Sequence, residues 1–262
     1  MAKKSWILTV IISIFVCAPR GLAQSQTGSQ GERSHYQTVA EAQTETQSST
    51  QNQPSTLTIW DHAKYTFVDA FDTTGLEILA IGAVATLIAM GEDSAMHDAW
   101  NHNQRMSSDV SAYGNFWGTG IPEVAIALGQ LFFDQENGIV DSEGLASSFI
   151  VTEALKYGVG RQRPDSNTTT SFPSGHTQVS FASATSLTMS YGWGIGVPMF
   201  ALGVFTGLSR IADNAHWLSD VTAGATVGIM FGRAGFKHHF NLKPIVINDG
   251  GQGGGLVAQW RF

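Results

Sequence analysis

Apolar residues recur at helical spacing through most of the chain between Leu57 and Lys237. Glycine, proline and short polar runs divide this region into seven predicted helices, at residues 61–71, 75–90, 121–133, 141–159, 175–191, 194–209 and 215–237. The connections are short, which favours a bundle of neighbouring antiparallel helices. The sequence therefore predicts an all-α helical bundle over residues 57–237, a length sufficient for one sizeable hydrophobic core.

The segments on either side of the bundle have different patterns. Residues 24–56 are rich in Gln, Ser and Thr and nearly lack large aliphatic side chains, which predicts a disordered linker. Residues 238–262 are predicted to form a short C-terminal β-hairpin, with strands at 240–248 and 256–262. One hairpin cannot close a barrel, so packing on the bundle is favoured over association with a membrane or a barrel.

Residues 1–23 have the pattern of a secretory signal peptide. Two lysines precede an apolar stretch over residues 6–18, and Gly21 and Ala23 lie three and one before a cut after Ala23. The apolar stretch is too short to favour a spanning helix, and an uncleaved anchor is the alternative. Cys17 is lost with this peptide, so we expect a mature chain without disulfides. The predicted location is periplasmic or associated with the outer membrane.

Charge narrows the range of partners. The formal net charge is −7 and becomes −10 without residues 1–23, which hold three cations and no acid. Such acidity argues against binding to nucleic acid and against electrostatic attraction to anionic lipid.

The charged residues also bear on the membrane question. They make up only 13% of the chain, about half the usual share in soluble proteins. However, Glu77, Glu123 and Glu153 interrupt the apolar stretches, and the uncharged stretch over 193–208 is shorter than the ~20 residues that a bilayer requires. A water-soluble bundle is favoured. Peripheral membrane association and an integral membrane protein are the alternatives.

Three short motifs follow one another in the second half of the chain. They comprise Lys156 with Arg163-Pro164, then Pro173-Ser174-Gly175-His176, and then Ser209-Arg210 with His216 and Asp220 beyond. Together they supply three cations, two histidines and a carboxylate. These are the groups that a metal-free phosphoryl transfer through histidine requires.

Lys156, Arg163 and Arg210 are candidate ligands of a phosphate group. A phosphoryl group in transfer spreads negative charge over three oxygens, so catalysis depends on positioning and charge neutralisation. Arginine presents a planar fork that matches two phosphate oxygens, whereas lysine acts as a point charge. Lys156 and Arg163 are seven residues apart, so both project from one helix face if the helix continues to the residue before Pro164.

The second motif has the pattern of a helix entry capped by Ser174. The first N–H groups of a helix lack acceptors within the helix, so Ser174 with the amides of Gly175 and His176 can cradle a phosphate. Gly175 is small enough to allow close approach. His176 is placed to protonate a leaving oxygen.

The third motif pairs a histidine with a carboxylate. His216 and Asp220 are four residues apart, and they share a helix face if the helix begins at Asp213 or Asn214. In the first turn of a helix the macrodipole favours a neutral imidazole. Asp220 can then accept a hydrogen bond from one ring nitrogen and leave the other free to attack phosphorus, as a base and its orienting partner do in catalytic triads.

These residues resemble the signature of the type 2 phosphatidic acid phosphatase (PAP2) superfamily, which also contains bacterial class A acid phosphatases and vanadium haloperoxidases. The predicted helices fit the all-helical core of that family. The connection between the first two motifs, eight residues, is short for its soluble members.

The resemblance implies a phosphohistidine mechanism that needs no metal or other cofactor. His216 would be the nucleophile, Asp220 its partner, and His176 the general acid and then the general base. The residues that the resemblance implies as phosphate ligands are Lys156, Arg163, Ser174, Gly175 and Arg210.

The predicted function is hydrolysis of phosphate monoesters or pyrophosphates, with lipid-linked phosphates as the leading substrate class. The preference for lipid comes from the family resemblance and the predicted location, because no residue in the sequence identifies an acyl-chain site. The alternatives are an acid phosphatase with soluble substrates, a vanadium-dependent haloperoxidase, and an envelope protein without catalytic activity.

Charged residues outside the motifs have plainer interpretations. Arg161 lies beside the first motif and is expected at the rim of the site or on the surface. Residues 92–98 contain Glu92, Asp93, His97 and Asp98, and a polar helix end is favoured there over a cation site. The remaining histidines are scattered and are expected to have surface or structural roles.

Overall fold

A computed structural model describes residues 59–101, 105–237, 243–245 and 255–257. The predicted signal peptide and linker therefore lie outside the described residues. The described part contains eight helices, which are α1 (Ile59–Ala70), α2 (Thr73–Asn101), α3 (Ser108–Trp117), α4 (Ile121–Phe133), α5 (Gln135–Val159), α6 (Gly175–Tyr191), α7 (Trp193–Ala212) and α8 (Leu218–Lys237). The prediction of an all-α bundle is confirmed.

Two helices have the bounds that the sequence predicts. Helix α4 begins at Ile121, after Gly120 with a left-handed φ of 85° and with a proline in its first turn. Helix α6 begins after Ser174 and ends at Tyr191, where Gly192 adopts a φ of 83°. Both helices carry strong local start and stop signals, which explains why the sequence alone defines their limits.

Other helix bounds differ from the predicted ones, and α5 begins at Gln135, six residues before its predicted start. Helix α2 does not end at residue 90 but continues to Asn101, and α8 begins at Leu218, three residues later than predicted. Helix α3 was not predicted, because its short sequence is mostly polar and contains a glycine. Its start is fixed by the side chain of Ser107, which accepts a hydrogen bond from the N–H of Val110.

Helices α6 and α8 form the centre of the bundle and pack backbone against backbone. Gly224, Gly228 and Gly232 lie four residues apart on α8, so all three face the same neighbour. A Cβ atom at each would lie 2.4 Å from a carbonyl oxygen at the start of or within α6. Only glycine permits this approach, and it brings the first turn of α8 close to the first turn of α6.

Among the described helices, two are long and apolar enough to cross a membrane. They are α2, over Thr73–Trp100, and α7, over Trp193–Ala212. Only 28% of the apolar stretch of α2 is buried inside the protein, so most of that helix presents its apolar side chains outward.

The C-terminal segment contains two described strands. Strand β1 (Lys243–Ile245) pairs antiparallel with β2 (Gly255–Val257), and Pro244 lies opposite Leu256. The other residues of the predicted hairpin lie outside the described residues.

Candidate active site

The residues of the three motifs lie at one end of the bundle. Lys156 is in the last turn of α5, His176 is in the first turn of α6, and Arg210 is near the end of α7. Asp220 is in the first turn of α8. Because these helices run antiparallel to their neighbours, four helix ends and the loops between them meet at this point.

The first motif does not lie on a single helix, contrary to the prediction. Helix α5 ends at Val159, and Gly160 closes it with a left-handed φ of 61°. Arg163 therefore lies in the loop that follows, where its N–H donates to the carbonyl of Thr168 over 3.1 Å. Its guanidinium Nε is buried without a hydrogen-bond partner among the described residues. A buried cationic donor without a partner is the feature expected where an anion binds.

Lys156 points toward the start of α6. A Cβ atom at Gly175 would lie 3.0 Å from the Lys156 ammonium, so the glycine leaves space for this close approach. The Lys156 ammonium also lies 2.5 Å from Oε1 of Glu153, one turn earlier on α5. Lys156 therefore forms an ion pair with Glu153 and also lies beside the predicted phosphate cradle.

Arg210 is buried and held by residues of other elements. Its Nη1 donates to Oδ1 of Asn115 over 2.7 Å, and its Nη2 forms an ion pair with Asp213. Asn115 lies on α3, and sequence analysis missed it because α3 lies far from the motifs in the chain. Its hydrogen bond with Nη1 helps to fix the orientation of the Arg210 guanidinium.

Ser174 caps α6, as predicted. Its Oγ accepts hydrogen bonds from the N–H of Thr177 at 3.4 Å and from the Thr177 hydroxyl at 3.1 Å. The N–H of Ser174 donates to the carbonyl of Asp220 over 2.9 Å and so ties this turn to α8. Gly175 and His176 occupy the first turn of α6, whose N–H groups have no acceptor within the helix.

His176 is partly buried and surrounded by positive charge. Burial lowers its pKa to about 4, and the nearby groups Arg210, His216, Lys156 and Arg163 shift it in the same direction. All four groups therefore lie close enough to His176 to act on it electrostatically. The imidazole is neutral at neutral pH until negative charge enters the site.

Gly118, between α3 and α4, makes room for His176. A Cβ atom at position 118 would lie 2.7 Å from Cβ of His176 and 2.6 Å from Cγ2 of Thr206. Sequence analysis missed this residue, because a glycine after a short polar helix gives no local sign of a distant partner.

His216 lies in the loop before α8 and not in a helical first turn. Asn214 has a left-handed φ of 55°, and the N–H groups of Ala215 and His216 both donate to the carbonyl of Arg210. The predicted caps at positions 213 and 214 therefore close the end of α7 and do not start α8. His216 is buried, with 3% of its surface exposed.

The direct hydrogen-bond partner of His216 is a backbone carbonyl. Nδ1 of His216 lies 2.7 Å from the carbonyl oxygen of Ser171 and 3.7 Å from Oδ2 of Asp220. The longer distance exceeds that of a hydrogen bond, so the carbonyl replaces the predicted carboxylate as acceptor. With a proton on Nδ1, the Nε2 lone pair is free. Burial lowers the pKa of His216, and Asp220 opposes this shift, so the neutral imidazole is favoured.

Asp220 is fully buried and accepts three hydrogen bonds in addition to its electrostatic contact with His216. Its Oδ2 accepts from the Ser171 hydroxyl at 2.5 Å and from the N–H of Trp217 at 2.9 Å. Its Oδ1 accepts from Nη1 of Arg161 at 2.6 Å. Burial raises the pKa of Asp220, but the contact with His216, the hydrogen bonds from Ser171 and Trp217 and the charge of Arg161 outweigh it and hold the pKa below its usual value. The carboxylate is therefore ionised.

The acidic cluster at the end of α2 divides between different partners. Asp93 faces Ser219 and Arg161, whereas the His97 ring lies 5.5 Å from the ring of Trp217. Within the described residues, no group of three or more His, Cys, Asp or Glu side chains is arranged to hold a metal ion.

The comparisons with known proteins agree with the motifs. Residues 142–244 match the PAP2 superfamily, a region that includes every predicted site residue. The resemblance recognised in the sequence is thereby confirmed.

Two curated relatives match part of the chain. The chain is 43% identical over 102 residues to a lipid A 1-phosphatase of Porphyromonas gingivalis, an alignment that covers 37% of this chain and 23% of the relative. It is 33% identical over 98 residues to a lipid A 4'-phosphatase of Helicobacter pylori, covering 32% of this chain and 50% of the relative. The chain thus spans half or less of the length of these relatives.

The fold agrees as well. The crystal structure of Aquifex aeolicus LpxE superimposes with a TM-score of 0.50 at 21% sequence identity, covering 55% of this chain and 94% of that one. At this identity the likeness establishes the fold of the covered region and nothing more.

Proposed function

We propose that this protein is a phosphatase that acts on lipid-linked phosphate through a phosphohistidine intermediate. The observation that carries the proposal is the convergence of Lys156, Arg163 and Arg210 on His176, beside a buried neutral His216. Three cations without enough carboxylates to neutralise them favour a bound anion, and phosphate oxygens fit an arginine fork. The unpartnered Nε of Arg163 supports the same interpretation.

The proposed reaction has two steps. In the first, Nε2 of His216 attacks phosphorus, the bond to the leaving oxygen breaks, and a protonated His176 gives its proton to that oxygen. In the second, His176 takes a proton from water as the water oxygen attacks phosphorus, and the bond to His216 breaks to release inorganic phosphate. The carbonyl of Ser171 keeps the Nδ1 proton of His216 in place throughout.

The pKa of His176 fits this cycle if the negative charge of the substrate raises it. In the free protein its pKa is about 4, because burial and four nearby groups disfavour the imidazolium. A phosphate dianion among the same cations neutralises them, so the pKa of His176 rises when substrate binds. The general acid is then charged when the leaving oxygen requires a proton.

The proposed substrate is a phosphorylated lipid of the lipid A class. The support is the identity of the matched part of the chain to enzymes named for the 1-phosphate and the 4'-phosphate of lipid A. Both are phosphate groups on a sugar that carries acyl chains, so the shared chemistry is a phosphate at a membrane surface.

We also propose that the bundle is embedded in a membrane, with the site at one surface. Helix α7 has 20 residues and α2 has 29, which correspond to about 30 Å and 43 Å of helix, enough to cross a hydrocarbon core. Leu87 and Ile88 on α2 are 67% and 52% exposed, and Phe132 and Phe133 on α4 are 85% and 93% exposed. A soluble monomer rarely presents apolar surface on this scale.

The glutamates that favoured a soluble protein in the sequence do not face outward from the middle of the helices. Glu123 is fully buried and accepts a hydrogen bond from the Ser180 hydroxyl at 3.0 Å. Glu153 pairs with Lys156 near the end of α5, and Glu77 lies in the second turn of α2. Charges at helix ends are compatible with a membrane, because they reach the interface.

A substrate panel tests the proposed activity. Full-length protein in detergent micelles would be incubated with lipid A carrying only a 1-phosphate, lipid A carrying only a 4'-phosphate, phosphatidic acid, a polyprenyl pyrophosphate and a soluble phosphate monoester. We expect phosphate release from one lipid A form at least ~100-fold faster than from the soluble ester, because only the lipid gains binding energy in the membrane. Equal rates would point to an acid phosphatase, and no release from any substrate would contradict the proposal.

Membrane embedding has its own test. We expect full-length protein to remain in membranes washed with alkaline carbonate and to dissolve only with detergent, because its apolar faces otherwise meet water. Release by the wash as an active monomer would contradict the embedding and leave the proposed activity standing.

A further inference from the structure

Arg161, expected at the rim of the site or on the surface, is 24% exposed and forms a bridge between two carboxylates. Its Nη1 donates to Oδ1 of Asp220 and to Oγ of Ser219, both over 2.6 Å. Its Nη2 donates to Oδ2 of Asp93 over 2.8 Å. The guanidinium also lies over the ring of Trp217, 5.4 Å from its centroid. A planar fork suits this bridging position, which a lysine ammonium cannot reproduce.

Asp93 brings α2 into contact with the start of α8. Its Oδ1 accepts from the N–H of Ser219 over 2.9 Å, and its Oδ2 accepts from the Ser219 hydroxyl over 2.6 Å. The Ser219 N–H is one of the first-turn donors of α8 that no residue of the helix can satisfy. Asp93 therefore acts as a cap supplied by another helix, and it is buried, with 6% of its surface exposed.

The contacts continue from Asp220 to His216. Oδ2 of Asp220 accepts from the Ser171 hydroxyl, and the Ser171 carbonyl accepts from Nδ1 of His216. Arg161 also holds Ser171 through its own backbone, because its carbonyl accepts the Ser171 N–H over 2.9 Å. The side chain and the main chain of Arg161 thus fix the two residues that orient the His216 ring.

We propose that Asp93 and Arg161 are positioning residues that aim the Nε2 atom of His216 at phosphorus. The inference rests on the proposed function of His216 as nucleophile. Neither residue touches the phosphate cradle of Lys156, Arg163 and Arg210 in the contacts described above. Loss of the bridge therefore misaligns the attacking nitrogen and leaves phosphate binding intact.

The central test compares Arg161→Lys and Asp93→Asn with the matched pair Arg233→Lys and Asp72→Asn, which alters the ion pair at the other end of α8. We expect both site variants to lose ~10–100-fold in kcat, since a misplacement of about 1 Å can cost 10²-fold. We expect KM and the affinity for vanadate, a phosphate mimic, to stay within ~3-fold of wild type because the cradle is unchanged. The matched pair should change thermal stability alone.

Two outcomes would overturn the inference. One is a kcat within twofold of wild type in folded Arg161→Lys or Asp93→Asn. The other is a loss of vanadate affinity as large as the loss of kcat, which would place the effect in the cradle. If either variant fails to fold, Ser219→Ala decides. It removes the hydroxyl that contacts both Arg161 and Asp93, and it keeps every charge. It should lower kcat ~3–10-fold through small misalignment, and an unchanged kcat would overturn the inference.

The failure of this inference is distinguishable from the failure of the proposed function. If wild-type protein forms no phosphohistidine and releases no phosphate, the proposed function fails. If wild-type protein does both and the variants match it, only the positioning role fails.

Discussion

The two ends of α8 both carry clusters of charged side chains, but the charges are balanced in different ways. At the end remote from the site, Arg233 and Lys237 contact Asp69 and Asp72 near the turn between α1 and α2. Two cations meet two carboxylates there. Asp72 also caps the start of α2, since its Oδ1 accepts the N–H of Gly75 over 2.7 Å.

At the site end the cations exceed their partners. Lys156 and Arg210 each have one carboxylate neighbour, whereas Arg163 forms no ion pair among the described residues. All three act on His176 and lower its pKa. Nε of Arg233, like that of Arg163, is buried without a hydrogen-bond partner among the described residues, but the Arg233 charge is paired with Asp72. The balanced cluster fastens helices together, whereas the proposed function requires an anion to complete the unbalanced one.

The largest expected effect comes from exchanging arginine for alanine at each end. Arg163→Ala should lower kcat/KM by ~10²–10³-fold, because a donor to the transferring phosphoryl group is lost. Arg233→Ala should leave kcat of the folded protein unchanged and lower the free energy of unfolding by about 2 kcal/mol, since it removes a hydrogen bond to a charged group. Enzyme kinetics and denaturant unfolding measure the two effects. Equal kinetic losses in both variants would show that the two clusters do not differ in role.

A smaller effect is expected from crowding His176. Gly118→Ala places a Cβ atom 2.7 Å from Cβ of His176, so the ring must move, and kcat should fall ~10–100-fold. Gly158→Ala is the control, because nothing lies within 4 Å of a Cβ at that position on α5. The control should keep its activity and gain about 1 kcal/mol of stability from the higher helix propensity of alanine. An active Gly118→Ala enzyme would argue against a role for His176 as general acid.

Titration of His176 by NMR tests the charge imbalance itself. In the free protein the pKa of His176 should lie near 4. Inorganic phosphate or vanadate should raise this pKa, because it neutralises the surrounding cations. A pKa that does not move on saturation with either anion would mean that the anion binds elsewhere.

The sequence predicted which motifs lie together better than it predicted their local geometry. Ser174 was predicted correctly as the cap of α6, because the signals for a helix start are local. The start of α8 was not, because Asn214 adopts a left-handed φ and closes the preceding helix. Good capping residues indicate a helix end but do not say which of two helices they serve.

Long-range contacts explain why the sequence did not predict the partners of Arg161 and Arg210. Arg161 meets Asp93 across 68 residues of chain, and Arg210 meets Asn115 across 95. No periodicity in the sequence connects these positions. The polar end of α2 lies beyond the predicted helix limit at residue 90, and it is helical with Asp93 bound to partners on α8 and in the loop after α5.

The smallest expected effect concerns the balanced end, and it depends on pH. Asp72 lies outside the helices that we propose to span the membrane. Burial raises its pKa, but hydrogen bonds from Lys237, Gly75 and Arg233 outweigh this and lower it from 3.8 to about 2. The folded state therefore binds fewer protons than the unfolded state, and this stabilisation is complete above pH 4 and lost as the pH falls toward 2.

Thermal unfolding in detergent measures the loss. Between pH 5 and pH 2 the wild-type protein should lose roughly 1 kcal/mol more than Asp72→Asn, an amount reduced by solvent screening of a partly exposed group. Equal losses in the two proteins would show that ionised Asp72 does not stabilise the balanced cluster.

The central claim is that His216 becomes covalently phosphorylated. Protein mixed with substrate labelled in its phosphate group would be quenched within milliseconds in alkaline detergent, in which phosphohistidine survives, and then digested and sequenced by mass spectrometry. We predict label on the peptide that contains His216, no label in a folded His216→Ala variant, and loss of turnover in that variant by at least ~10³-fold. Label on another residue, or a His216→Ala enzyme that turns over at the wild-type rate, would contradict the account.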